Sequence, residues 1–106
     1  MVDEGLNTAL KVLREAWEQY REDPARKAGE KVPTGDERFL AELGPERGPE
    51  LLASIRSLHA EAAQVPDPGG PMINYVRALA GWAATHPEVS PREMTYITYP
   101  LEVQHR

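Results

Sequence analysis

Residues 6–20 are LNTALKVLREAWEQY, a segment in which apolar side chains recur every three or four positions. Because an α-helix turns once in about 3.6 residues, this spacing places the apolar side chains along a single helical face. The predicted face consists of Leu6, Ala9, Leu10, Leu13, Trp17 and Tyr20. The segment therefore predicts an amphipathic helix, and Pro24 marks its end.

Proline and glycine divide the rest of the chain into short segments, since the 106 residues include ten prolines and eight glycines. A capping box at Thr34 and Glu37 predicts the start of a short helix, which Gly44 ends. Gly48-Pro49 predicts the start of a third helix that continues to about Val65, with proline at its first position. The segment between Pro24 and this capping box is polar and is interpreted as a surface connector.

The segment 71–85 predicts a fourth helix with few charges, which we expect to be the most buried and to return antiparallel to the third. Gly81 lowers its intrinsic stability by roughly 1 kcal/mol, a cost that close contact with another helix would offset. The residues small enough to allow such contact are Ala78, Ala80, Gly81 and Ala84.

The last segment, 91–99, contains two conflicting signals. Ser90 to Glu93 has the form of a capping box, whereas 94–99 is rich in the β-branched and aromatic residues typical of strands. A lone strand needs a partner, and no other segment resembles one. The sequence therefore favours a short helix that ends before Pro100, with a strand as the open alternative.

These segments together predict an all-α fold. We expect one domain over residues 1–106, a small helical bundle of three to four main helices with a short C-terminal element. The length suits one domain. With 41% apolar residues but one Phe, two Trp and four Tyr, the core has few large side chains, so we expect modest stability.

Composition argues against several functional classes. Seventeen acidic and twelve basic residues give a net charge of −5, which argues against nucleic acid as a partner. Without cysteine the chain has no disulfide or thiolate chemistry, and we expect a cytoplasmic location. No apolar run approaches the ~20 residues of a membrane span, and the first ten residues do not resemble a signal peptide, so we expect no membrane partner.

No residue pattern in the chain predicts catalysis, a metal site or a cofactor. The three histidines, His59, His86 and His105, lack the spacing of a metal-binding cluster. His59 is interpreted as a partly buried residue at the edge of the core, and His86 as a cation at a helix C-terminus. The basic residues Arg26, Lys27 and Lys31 lie in the polar connector and are interpreted as solvated.

The aromatic residues of the C-terminal half provide the candidate interaction surface. Tyrosine and tryptophan are enriched where a side chain is apolar at one end and wet at the other. The predicted surface comprises Tyr75, Leu79, Trp82, Tyr96 and Tyr99. The leading hypothesis is a cytoplasmic protein interaction module that binds another protein or itself, with a homodimer as the expected form. The alternative is a small-molecule pocket, or that of a minor enzyme, between helices three and four at His59, Tyr75 and Trp82.

Overall fold

Six helices account for the architecture of the computed structural model, which describes residues 2–104. No strand occurs in this part of the chain, so the predicted all-α fold is confirmed. In chain order the helices are α1 (Glu4–Glu22), α2 (Pro24–Lys27), α3 (Gly35–Leu43), α4 (Arg47–Ala63), α5 (Met72–Ala83) and α6 (Pro91–Gln104).

Helix α1 contacts α3, α4 and α6, and its apolar face is the one that the sequence predicts. Asp3 caps its N-terminus by accepting a hydrogen bond from the Leu6 amide at 3.0 Å. Trp17 and Tyr20 lie at the edge of the core and are half-buried. The buried residues of α1 are Leu6, Ala9, Leu10, Leu13 and Ala16.

Helix α3 begins with the predicted capping box. The Thr34 hydroxyl accepts from the Glu37 amide at 3.2 Å, and the Glu37 carboxylate accepts from the Thr34 amide at 3.4 Å. Gly44 follows α3 with φ of +92°, a conformation that glycine adopts without strain. Phe39, on the inner face of α3, is fully buried.

A junction of three helices forms around Asp36. One carboxylate oxygen of Asp36 accepts from the Trp17 indole nitrogen of α1 at 3.0 Å, and the other accepts from Arg56 of α4 at 2.6 Å. Trp17 also packs against Gly35, where a Cβ atom would overlap the indole ring. The α1–α3–α4 junction is here defined as Trp17, Gly35, Asp36, Arg56 and the fully buried Phe39 of α3.

Helix α4 begins earlier than the sequence predicts. Its first residue is Arg47, so Pro49 occupies the third position rather than the first. The Gly48 amide donates to the Gly44 carbonyl at 3.0 Å, which extends helical backbone ahead of the proline. Proline is tolerated there because amides in the first turn have no partner within the helix.

Helix α5 is not the most buried element, so that prediction is wrong. It buries only Tyr75 and Leu79, whereas α1 and α4 each bury five residues. Its main contact is with α6, which also packs against α1 and α4. Because α6 occupies the position beside α4, α5 does not form the expected antiparallel pair with α4.

Residues 91–99 are helical, but the predicted end before Pro100 is wrong, since α6 continues to Gln104. Pro100 removes one backbone donor from the helix interior, which is unfavourable. Leu101, one residue further, is half-buried and packs against the core. We attribute the continuation of the helix to this contact.

The molecule is flat. It measures 43 × 34 × 19 Å, and its short dimension corresponds to about two layers of helices. Its radius of gyration of 15.4 Å exceeds the ~13 Å expected of a chain of this length. Its accessible surface of 6798 Å² exceeds the roughly 5,900 Å² expected of a monomer of this mass. The chain is therefore less compact than an average monomer of its mass.

Candidate interaction surface

Helix α6 lies between two open grooves, one toward α5 and one toward α1. Thr95 is exposed on the ridge that separates them and contributes to both linings. Both grooves are open to solvent along α6. The two grooves differ in chemistry.

The groove between α5 and α6, here called the alanine groove, has a volume of about 510 Å³. Leu79, which is only 1% exposed, forms part of its floor. Most of the lining is aliphatic, and it includes Val76, Ala80, Ala83, Ala84 and Met94. This composition suits apolar side chains better than a polar ligand.

Small residues line the outer face of α5 beside the alanine groove. Ala80, Gly81 and Ala84 are all exposed. A Cβ atom added at Gly81 would meet no other atom within 4 Å, so no contact within the described chain requires glycine there. The helix-propensity cost of Gly81 is therefore not offset by a contact among the described residues.

The groove between α1 and α6, here called the arginine–tyrosine groove, has a volume of about 650 Å³. Tyr99 and Val103 lie one turn apart on α6 and are 51% and 43% exposed. The charged residues of the lining are three arginines and one glutamate, namely Arg14, Arg21, Arg92 and Glu18. Exposed apolar side chains therefore lie among cations.

Two of these three arginines have no carboxylate partner in the described part of the chain. Arg14 donates to Glu93 at 3.3 Å, and Glu93 is largely buried. The ion pairs found among residues 2–104 involve neither Arg21 nor Arg92, and both side chains are exposed. Both guanidinium groups are therefore exposed without a carboxylate partner among residues 2–104.

The start of α6 is positioned by a polar contact with α1 that sequence spacing did not reveal. The Asn7 side chain donates to the Glu88 carbonyl and accepts from the Ser90 amide, each at 2.8 Å. Ser90 still accepts from the Glu93 amide at 3.4 Å, but the Glu93 carboxylate pairs with Arg14. The predicted box is therefore half formed, because tertiary partners take its other half.

His86 connects the end of α5 with α4. Its imidazole nitrogens lie 3.0 Å from Glu88 and 3.3 Å from Glu61, and its ring centre is 4.9 Å from that of Trp82. The hydrogen bond with Glu88, followed by the nearby carboxylates, raises the pKa of His86 above its usual value. The protonated form is therefore favoured in the folded state.

His59 is half-buried at the edge of the core, as the sequence predicts. Its ring meets that of Tyr96 edge to face, with the centres 6.0 Å apart. Burial lowers the pKa of His59 and raises that of the Tyr96 hydroxyl. Both side chains are therefore favoured in their neutral forms.

The structure does not bring the five residues of the predicted interaction surface onto a single exposed face. Tyr75 and Leu79 are each 1% exposed and belong to the interior. Trp82 and Tyr96 are half-buried against the core, whereas Tyr99 is exposed in the arginine–tyrosine groove. The sequence predicted that the small residues of α5 allow another helix to approach, but it did not predict the arginines of α1, because their exposure beside α6 depends on which helices pack together.

The three residues of the predicted small-molecule pocket line neither groove. His59 pairs with Tyr96, Trp82 lies beside His86, and Tyr75 is enclosed on α5. His105 lies outside the described residues. A ligand site at His59, Tyr75 and Trp82 therefore stays a prediction.

Within residues 2–104, no cluster of three or more carboxylate or imidazole side chains has an arrangement that could hold a metal ion. None of the helices described has both the length and the apolar character needed to cross a bilayer. Comparisons with models of known protein families, with curated proteins and with solved structures found nothing that matches this chain.

Proposed function

We propose that the protein is an interaction module that forms a homodimer through the alanine groove and the outer face of α5. The observation that carries this proposal is the exposed Gly81, flanked by small residues beside an apolar groove. Small side chains allow two helices to approach closely, which increases the packing contact between their backbones. Contact with the α5 helix of a second subunit would offset the helix-propensity cost of Gly81.

The flat shape supports the same proposal. The chain exposes more surface than is expected of a monomer of its mass. This excess is similar to the area that each partner buries in a typical subunit interface. Ile73, another α5 residue, is 49% exposed. Covering α5 would bring the molecule closer to the surface-to-mass ratio of ordinary globular proteins.

A twofold axis is the expected symmetry. In a twofold dimer the same patch of both subunits is used, so a self-complementary helix such as α5 closes the assembly at two copies. The net charge of −5 works against association, and the interface must therefore be apolar, as the alanine groove is.

The decisive experiment measures the mass of the chain in solution, by light scattering or sedimentation at micromolar concentration. We expect a dimer for the native chain and a monomer for Ala80→Arg, which places a charge in the groove wall. Ala60→Arg on α4 is the matched control, since it adds the same charge at another exposed helical alanine, and it is expected to remain dimeric.

Two results would contradict the proposal. One is a native chain that stays monomeric at every concentration up to about 100 µM. The other is an equal loss of dimer in Ala80→Arg and Ala60→Arg, which would indicate that added charge alone, rather than its place on α5, controls association.

We also infer that the module acts in the cytoplasm. A chain without cysteine gains nothing from an oxidising compartment, and this supports the inference. Fractionation of native cells with an antibody against the chain tests it, and recovery from an exported fraction would contradict it.

A further inference from the structure

We propose that the arginine–tyrosine groove is a second docking surface, which binds an acidic amphipathic helix of a partner protein. Both this proposal and the proposed function place an interaction surface beside α6, but this one does not require self-association. It concerns the opposite side of α6 from the alanine groove and names the chemistry of the partner.

Charge complementarity is the first argument. The chain as a whole has more acidic than basic residues, yet the charged lining of this groove comprises three arginines and one glutamate. Since Glu93 neutralises Arg14, the unpaired cations are Arg21 on α1 and Arg92 on α6. Guanidinium groups favour planar anions such as carboxylates, which they can bind with two parallel hydrogen bonds.

Exposed apolar side chains give the second argument. Tyr99 and Val103 are on one face of α6, one turn apart, and each exposes more than two fifths of its surface. A partner that contributed only carboxylates would leave Tyr99 and Val103 exposed to water. A helix with apolar residues on one side and acidic residues beside them would cover Tyr99 and Val103 while its carboxylates met Arg21 and Arg92.

The shape of the groove favours a helix over a small molecule. The groove is open and follows α6, whose 14 residues extend over about 21 Å. Small-molecule sites enclose most of their ligand, whereas helix-binding grooves are long and open. A partner helix of about four turns would therefore match the length of α6.

Two other occupants fit less well. The net charge of −5 would repel the phosphate backbone of a nucleic acid. Two unpaired arginines are too few to overcome this repulsion along a long backbone. A second copy would have to insert a different part of its surface, since the groove is not self-complementary in charge. Such head-to-tail contacts produce open chains rather than the closed dimer proposed above.

The test uses two labelled synthetic peptides of about 14 residues, the length that matches α6. Both carry leucine at helical spacing, and the other positions are glutamate in one peptide and glutamine in the second. Fluorescence anisotropy with the full chain measures binding. We expect the glutamate peptide to bind at least about tenfold more tightly, a difference that falls with increasing salt because the contacts are exposed.

Two double variants of equal charge change assign the binding to the groove. Arg21→Gln with Arg92→Gln is expected to weaken the glutamate peptide about tenfold and to leave the glutamine peptide unchanged. Lys11→Gln with Lys31→Gln removes two exposed cations outside the groove and should have little effect. Tyr99→Ala should weaken both peptides, because it removes the apolar contact that they share.

Several outcomes would overturn the proposal: equal binding of the two peptides, an equal effect of the two double variants, or tighter binding of a mixed-sequence oligonucleotide than of the glutamate peptide. The solution mass of each sample separates this proposal from the proposed function. A dimer that binds neither peptide overturns only the acidic-helix site. A monomer that binds the glutamate peptide through Arg21 and Arg92 overturns only self-association.

Discussion

The α1–α3–α4 junction and the α5–α6 pair each contain a tryptophan and a helical glycine, but these residues serve different purposes. In the junction, Trp17 covers Gly35 and donates to Asp36, which also binds Arg56. In the α5–α6 pair, Gly81 is open to solvent, and Trp82 is half-buried beside His86. The difference indicates that the glycine of the junction is used for internal packing, whereas the glycine of the α5–α6 pair lies on a helix surface that stays exposed.

The largest expected difference between the two regions concerns their large apolar side chains. Phe39→Ala should lower the free energy of unfolding by about 3–5 kcal/mol, because it leaves a cavity in the junction. Ile73→Ala on α5 should cost less than about 1 kcal/mol, because half of that side chain is already exposed. Urea denaturation of both variants measures this. Similar losses would mean that the two regions are packed alike.

Replacing glycine by alanine in each region should have opposite effects. Gly35→Ala should destabilise the fold by about 1–3 kcal/mol, because the new methyl group overlaps the Trp17 ring. Gly81→Ala should stabilise the monomer by up to about 1 kcal/mol, since the methyl group is unobstructed and alanine favours helix. Urea denaturation at concentrations below dimer formation measures both. Destabilisation of the monomer by Gly81→Ala would show that α5 is internally constrained there.

A smaller contrast is expected for the two tryptophans. Trp17→Phe keeps an aromatic ring but removes the hydrogen bond to Asp36, which should cost about 1 kcal/mol in addition to any change in packing. The Trp82 indole donates to no side chain of the described residues, so Trp82→Phe loses no such bond. Double-mutant cycles that combine each Trp→Phe substitution with Asp36→Ala measure the interaction free energy with Asp36. This coupling should be present for Trp17 and absent for Trp82.

The smallest expected effect is a pH dependence from two histidines. The pKa of His86 is raised by Glu88 and Glu61, so its stabilising effect is complete below pH 6.5 and is lost as the pH rises through the higher folded pKa. The pKa of His59 is lowered by burial, so stability is lost as the pH falls from 6.5 through the lower folded pKa.

Two substitutions separate these contributions. His86→Gln should therefore cost more stability in acid than at about pH 8, by less than about 1 kcal/mol because the ion pairs are near the surface. His59→Gln should show the reverse trend, since it removes a group that resists protonation. Urea denaturation at the two pH values measures both, and a shared direction for the two variants would contradict the assigned pKa shifts.

Much of the helical framework could be predicted, since its signals are local. Thr34 and Glu37 form their capping box with each other, and Gly44 ends α3 through its own backbone conformation. The errors arose where distant contacts prevailed. The Glu93 carboxylate binds Arg14 instead of completing a cap, and we attribute the continuation of α6 past Pro100 to the packing of Leu101 against the core.

The candidate surface was the least predictable part. Tyr75 and Tyr99 are the same residue type and both lie on helices, yet Tyr75 is enclosed and Tyr99 is exposed. Periodicity identifies which side chains share a helical face, but it does not identify the helix that covers that face. Arg21 and Arg92 are 71 positions apart in the chain, and only the packing of α6 on α1 brings them to one groove.

By itself, the sequence determined the all-α class, the approximate positions of the helices and the apolar face of α1, because helical periodicity, caps and prolines act over a few residues. The tertiary structure decided that α6 rather than α5 packs beside α4, and therefore where the two grooves lie. The physical reason is that the hydrophobic effect is nondirectional. The apolar face of a helix must pack against another helix, and the geometry of the whole chain determines which helix that is.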